Sequence, residues 1–235
     1  MPVVRLPLTV WGDGPRTAAL VHGYSDDART WQQVAPALAA RGWQVLAPDL
    51  TGHGSAPRAA RYSLPALAAD LVDSLPEGPD LLLGHSLGAL LVNLIAHELC
   101  PRRTVLVDPP WGPLPRDLAR TPSAATPTEI ATSNPRWSHQ DVMADVASNQ
   151  LLDPQVSRWL ATDPFAGLTV SLPVPPVCPT TVVVPADGAL APADLHPQLR
   201  QLGFDVLVVP GVGHVVHRDD PAAWLAAVTR EQLAA

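Results

Sequence analysis

A single α/β domain is the fold the sequence predicts: a mostly parallel central sheet of about seven strands, flanked by helices and carrying a small helical cap. Three observations predict it. Short β-branched runs alternate with longer Ala/Leu-rich stretches, the pattern of parallel strands covered on both faces by helices. The later runs are almost purely apolar, as doubly covered strands should be. One long stretch then breaks the alternation and returns to it.

Taken in order, the strands are expected at Leu6–Val10, Thr17–Val21, Trp43–Ala47, Asp80–Leu83, Thr104–Val107, Thr181–Val184 and Asp205–Val209. The first helix is expected at Thr30–Ala40, where Trp31, Val34 and Leu38 share one stripe. Leu64–Leu75 follows, with Ser63 as its cap and Pro65 in its first turn. Leu87–Leu99 is strongly apolar, as a helix wedged against a sheet should be. Ala193–Leu202 and Asp220–Leu233 complete the set, the last opening on Pro221. Between Pro109 and Pro179 no strand can be read, and the span carries Trp111, Trp137, Trp159 and Phe165 among many prolines. So long a stretch without secondary structure would be unusual inside a domain. Helices are therefore expected near Ser138–Asn149 and Pro154–Ala161, forming a cap over residues 110–176 inserted into a core of 1–109 and 177–235.

Composition narrows the function. The 235 residues are 47% hydrophobic and carry 15 basic against 22 acidic side chains, a net charge of −7. A chain this long should bury roughly 70% of its unfolded surface. The acidic balance argues against nucleic acid as a partner. No stretch reaches the ~20 apolar residues that would cross a bilayer, so no membrane partner is expected. The opening MPVVRLPLTVWGDG reads as no signal peptide, and a cytoplasmic monomer or homodimer is expected. Cys100 and Cys178 make neither a disulfide framework nor a metal set. All 15 basic residues are arginine, which excludes lysine chemistry.

The sharpest local feature is Leu81-Leu82-Leu83-Gly84-His85-Ser86-Leu87-Gly88-Ala89, where an apolar strand runs through G-x-S-x-G directly into a helix. A serine at such a turn has a strained backbone and small neighbours, because strand and helix approach closely. Its Oγ stands out above the C-terminal edge of the sheet. The helix behind it opens with N–H groups that favour developing negative charge. A glycine-rich turn with an incidental serine would explain the pentapeptide alone. The flanking strand and helix favour Ser86 as a nucleophile.

A hydroxyl is a poor nucleophile near neutral pH and requires a base oriented by a third group. Eight histidines compete. His22 and His53 lie in glycine-rich loops ahead of the serine. His85 adjoins it and points away from the tight turn, and His97 lies near the far end of the following helix. His214, in Pro210-Gly211-Val212-Gly213-His214 after the last strand, sits at the sheet edge where functional groups of open α/β sheets collect. It is the favoured base, with His217 as its rival. For the orienting acid, Asp187 after Thr181–Val184 is favoured and Asp108 at the end of Thr104–Val107 is the alternative. The one not used becomes a ligand for backbone N–H groups. Asp194 reads as a helix cap.

A tetrahedral oxyanion needs two preorganised donors. The backbone N–H of Leu87 supplies one. The other comes from His22-Gly23-Tyr24-Ser25, where the glycine allows close approach and the Tyr24 N–H follows it. The Tyr24 ring either lines the pocket or adds a hydroxyl contact to substrate. Trp111, Trp137 and Trp159 are candidates for an apolar pocket, with packing inside the cap as their ordinary alternative. Asp49-Leu50-Thr51-Gly52-His53-Gly54-Ser55 lacks the third glycine and distal acid of a dinucleotide loop, and reads as a structural turn. No H-x-H or H-E-x-x-H spacing occurs, so neither cofactor nor metal is expected. Arg116, Arg120 and Arg136 are too scattered to hold a phosphate or a coenzyme A tail.

With these residues laid out, the chain resembles the α/β-hydrolase superfamily, in particular its small esterase-like branch with a helical cap. The resemblance rests on Val21-His22-Gly23-Tyr24, Trp31, Pro48-Asp49-Leu50-Thr51-Gly52-His53-Gly54-Ser55, Gly84-His85-Ser86-Leu87-Gly88, Val107-Asp108-Pro109-Pro110 and Gly211-Val212-Gly213-His214. It covers everything but the cap. It implies Ser86 as nucleophile, His214 as base, and Tyr24 and Leu87 as oxyanion donors. Pro185-Ala186-Asp187-Gly188 departs from the family's G-x-x-D acid loop, and part of the family places its acid where Asp108 stands. The serine at position 86 departs from the aspartate nucleophile of epoxide hydrolases and haloalkane dehalogenases. The activity implied is hydrolysis of a carboxylic ester or lactone of a small, largely apolar substrate through an acyl-enzyme. Cleavage of a diketone C–C bond, amide or thioester hydrolysis and perhydrolysis use the same triad. A non-catalytic ligand-binding protein on this fold is the alternative of a different class.

Overall fold

Strands β1 (Leu8–Trp11), β2 (Arg16–Val21), β3 (Trp43–Pro48), β4 (Leu81–His85), β5 (Thr104–Val107), β6 (Thr180–Pro185) and β7 (Asp205–Val209) form one sheet in the order β1-β3-β2-β4-β5-β6-β7. This is the arrangement of the computed structural model, which describes residues 4–111, 125–161, 175–187 and 189–229. Phe165, Arg116, Arg120, Gly188 and the expected end of the last helix beyond residue 229 lie outside them. β1 runs antiparallel to β3, and every other pairing is parallel.

Parallel neighbours need crossover connections. Helices α1 (Ala35–Ala39), α2 (Leu64–Ser74) and α3 (Leu87–Leu99) make the first three, and α7 (His196–Gln201) links β6 to β7. After β2 the chain steps outward to β3, then returns to the other side of β2 as β4. That reversal opens a crevice at the C-terminal ends of β2 and β4, the place where open α/β sheets collect ligands. Helices α4 (Pro127–Ser133), α5 (His139–Leu151) and α6 (Pro154–Ala161) form the small helical cap between β5 and β6, and α8 (Val216–Asp219) and α9 (Pro221–Thr229) follow β7.

Successive strand residues face opposite sides of a sheet, and the core divides accordingly. Leu82, Leu106 and Val182 point to one face, under Leu71 of α2, Leu91 and Ile95 of α3 and Leu199 of α7. Leu81, Leu83, Val105 and Val183 point to the other, against Trp31, Leu38 and Trp224. Burial of each such leucine contributes about 1.5–3 kcal/mol.

Among the elements that differ from the sequence expectation, three have a plain local cause. The first strand begins at Leu8, because the N–H of Val4 donates to Asp70 Oδ1 and that of Leu6 to Ser74 Oγ. Those residues are held by α2 and not by β3. The expected helix over 30–40 divides into a 3-10 turn, Ala28–Trp31, and α1. Pro36 has no N–H with which to bond the turn before it. Helix α4 was not expected at all, although Thr126 and Glu129 close a capping box around Pro127 at its first turn.

Candidate active site

Ser86 occupies the single residue between β4 and α3, with φ 53° and ψ −117°. A non-glycine residue held there costs about 1–3 kcal/mol and persists only where its surroundings over-determine it. Here they do. The Ser86 N–H donates to Val107 O at 2.9 Å, and its carbonyl accepts from Ala89 and Leu90. A Cβ on Gly84 would lie 2.2 Å from Gly88 O, and one on Gly88 would lie 2.3 Å from Val21 O. Strand and helix therefore meet only because both positions are glycine. Leu87 begins α3, so its N–H has no carbonyl a full turn back inside the helix to bond.

The loop after β2 passes directly over this turn: a Cβ on Gly23 would fall 3.1 Å from Ser86 Cβ. His22 fixes the loop. Its Nε2 accepts from Leu50 N–H at 3.0 Å, which leaves the proton on Nδ1 to bond Gly23 O at 2.8 Å. In a trans peptide the C=O and N–H point opposite ways, so holding Gly23 O also sets the direction of the Tyr24 N–H. The Tyr24 side chain reaches the cap, donating to Ser157 Oγ at 2.8 Å. Burial raises its hydroxyl pKa, opposed by the bond to Ser157.

Asp108 follows β5 with φ 43° and is fully buried. Its Oδ2 lies 2.6 Å from His214 Nδ1, and Oδ1 accepts from the N–H groups of Leu190 at 2.9 Å and Ala191 at 3.4 Å. A carboxylate only accepts, so Nδ1 carries the shared proton and neutral His214 keeps its lone pair on Nε2. The favoured acid, Asp187, is not brought to His214 but is exposed. The physical reason lies in the loop after β6: Ala186 N–H still pairs with Val209 O, and the chain then turns back to give two N–H groups to Asp108. The structure thus brings together Asp108 and His214, the alternative pairing.

Two of the other histidines, His217 and His53, are packed in the interior. His217 is buried, with Nε2 2.7 Å from Thr30 Oγ1 and its ring 4.4 Å from Trp31. Burial, then the charge of Arg218, pushes its pKa well below the ordinary value. His53 is buried 5.1 Å from the His22 ring and driven down to about 3 by burial. His97 is exposed beside Glu98. The ring of His85 lies 4.6 Å from that of His214.

Of the expected pocket tryptophans, Trp111 is buried in the core, edge-on to Phe204 at 5.8 Å. Trp137 Nε1 donates to Asp219 Oδ1 at 2.9 Å, under the guanidinium of Arg218. Trp159 is half-buried, 6.4 Å from the Tyr62 ring. Sequence reasoning missed Arg218, which is buried between Asp26 at 2.7 Å and Asp145 at 3.1 Å. It joins α8, the loop that follows β2, and the cap. Nothing local marks it, since its partners lie 192 and 73 residues away. Among the described residues no three His, Cys, Asp or Glu side chains are placed to hold a metal, and no helix is long and apolar enough to cross a membrane.

Comparison with known proteins agrees with this architecture. The chain is 29% identical over 256 aligned residues to the lipase LipV of Mycobacterium tuberculosis, covering 94% of each. It is 41% identical over 88 residues to the pimeloyl-[acyl-carrier protein] methyl ester esterase of Aeromonas hydrophila, an alignment covering 37% of this chain and only about a third (34%) of that one. Among solved structures, the N-formylmaleamic acid deformylase of Pseudomonas putida S16 shares the fold with a TM-score of 0.77, at 23% identity over 95% of both chains. Residues 19–228, which include the Ser86 turn, Asp108 and His214, match the alpha/beta hydrolase family, and the chain belongs to that family.

Proposed function

We propose that this protein is a serine-dependent hydrolase of carboxylic esters or lactones whose substrates are small and largely apolar. The observation that carries the proposal is the 2.6 Å contact between His214 Nδ1 and the buried Asp108 carboxylate. It leaves an oriented basic nitrogen on the sheet edge from which the Ser86 turn projects. The names of the lipase and methyl ester esterase relatives support ester chemistry.

In this reading Ser86 Oγ attacks the carbonyl carbon while its proton passes to His214 Nε2. Asp108 remains ionised and stabilises the imidazolium. Charge gathers on the carbonyl oxygen, and the N–H groups of Tyr24 and Leu87 receive it without reorganising. The tetrahedral adduct collapses as His214 returns the proton to the leaving alkoxide, giving an ester of Ser86. Water then attacks that ester, losing its proton to the same nitrogen. The second adduct releases the carboxylic acid and restores the Ser86 hydroxyl.

The test is a panel of nitrophenyl esters, lactones and vinylogous diketones, run on the protein and on Ser86→Ala, with fluorophosphonate labelling alongside. Ester or lactone turnover should fall at least about a thousandfold in Ser86→Ala, and the probe should label Ser86 alone. Turnover that survives the substitution would remove Ser86 from the reaction. Turnover of diketones only would change the bond that is cleaved.

A further inference from the structure

The arrangement of Ser86, His214 and Asp108 leaves one buried ionisable side chain beside it without a task. His85 ends β4, next to the nucleophile turn, and is only 2% exposed. Its Nε2 lies 3.0 Å from the backbone carbonyl oxygen of His214. A carbonyl can only accept, so Nε2 carries the proton and Nδ1 is bare. Among the described residues Nδ1 has no hydrogen-bond partner, and it sits 3.0 Å from where a Cβ on Gly23 would be. The ring is thus wedged between the loop after β2 and the His214 imidazole, and its plane lies 75° from that of His217, 5.0 Å away. Burial first, then the neighbouring His214 and His217, holds its pKa well below the ordinary value. The donor therefore stays neutral.

His214 lies in a connection without regular structure between β7 and α8. One side of that connection is held where Gly213 N–H donates to Asp219 Oδ2 at 2.6 Å. The bond from His85 holds the peptide that leaves His214. Without it, the imidazole could pivot about its contact with Asp108. With it, the backbone of His214 is tied to the residue covalently preceding Ser86.

We propose that His85 is a positioning residue, whose Nε2–H bond to the His214 carbonyl fixes the base relative to the nucleophile. The proposal rests on the hydrolase reading of Ser86 and His214 above. It goes beyond that reading by giving the second residue of the G-x-S-x-G turn a role in the geometry of the base.

Glutamine and methionine have nearly the same length and volume, but only glutamine carries an N–H donor at the ε position. His85→Met should lower kcat roughly 10- to 100-fold, the cost of a small misplacement, with KM changed less than about threefold. His85→Gln should recover most of that loss. The proton shared by His214 and Asp108 should give a sharp downfield NMR resonance in the wild type and His85→Gln, and a broadened one in His85→Met. Equal kcat in all three proteins would overturn the proposal. So would equal losses in both folded variants, which would assign the effect to packing. If neither variant folds, side-chain nitrogen NMR of the wild type decides: a slowly exchanging Nε2–H on His85 upholds the proposal, and an Nδ1–H tautomer overturns it. Fluorophosphonate labelling separates the two levels. An unlabelled wild type would remove the hydrolase reading itself, whereas a His85→Met variant labelled at the wild-type rate would remove only the role of His85.

Discussion

Asp108 uses both carboxylate oxygens, one on the Leu190 and Ala191 N–H groups and one on His214 Nδ1, so exchanging one oxygen for nitrogen has a specific consequence. In Asp108→Asn the amide oxygen can keep the two backbone bonds while the NH₂ faces His214. That group must donate, so the imidazole has to present a bare Nδ1 and a protonated Nε2, which cannot take a proton from Ser86. Ester turnover should fall about 10⁴-fold with the fold retained, whereas Asp187→Asn on an exposed loop should stay within about twofold. Steady-state kinetics on both variants checks this; a large loss confined to Asp187→Asn would reverse the assignment. The comparison also shows what was legible at this scale. The strand, the two glycines and the helix that make the turn at Ser86 lie within nine residues, from Leu81 to Ala89, so they could be read together, although Val21 and Val107, which also hold the turn, could not. The choice between two strand-end aspartates could not. It is made by residues 190 and 191 folding back to solvate Asp108, and no local pattern encodes that contact.

At the level of elements, the strands were legible because doubly covered strands are nearly pure apolar runs, as in Leu81-Leu82-Leu83 and Val182-Val183-Val184. Helices broken by proline were less so: Pro36 and Pro197 each follow a 3-10 turn that periodicity alone merges with the helix. Contacts between elements were not legible, and Arg218 is the clearest case. It stands on α8 with its guanidinium buried between Asp26 and Asp145 of α5. Burial, then the charge of Asp26, raises the Asp145 pKa, against the pull of Arg218. Arg218→Met would leave two carboxylates facing each other without a cation, a change that costs about 3–5 kcal/mol when a buried pair loses one partner. Adding Asp145→Asn removes one of the two charges and should restore part of the loss. Urea denaturation at pH 7 measures both. A double variant no more stable than Arg218→Met would show that the arginine acts by packing on Trp137 and not by charge.

Across the whole molecule, three of the buried imidazoles have a pKa held far down: His53 to about 3, and His85 and His217 well below the ordinary 6.5, in each case chiefly by burial. Unfolding returns all three to water, where they protonate near pH 6.5. Below that pH the unfolded chain binds protons that the folded chain refuses, so stability falls as the pH falls, down to the folded-state values. Between pH 7 and pH 5 His53, whose folded value is about 3, removes about 2 kcal/mol, and His85 and His217 act in the same direction. Carboxylates act elsewhere on the scale. Asp27, whose pKa burial would raise but whose bonds to Arg29 lower it further, contributes stability that is lost only as the pH falls through and below its ordinary 3.8. Asp145 opposes the trend, because its raised pKa makes proton uptake favour the folded state. The steep loss should therefore begin just below neutrality, where only the histidines titrate. His217→Gln can keep a hydrogen bond to Thr30 but cannot ionise, so its stability should fall less steeply than the wild type's over the same interval. Denaturation midpoints of the two proteins at pH 7, 6 and 5 compare the slopes directly. Parallel slopes would mean that His217 takes up its proton while the chain is still folded, against the burial that Trp31, Trp224 and Thr30 impose on it.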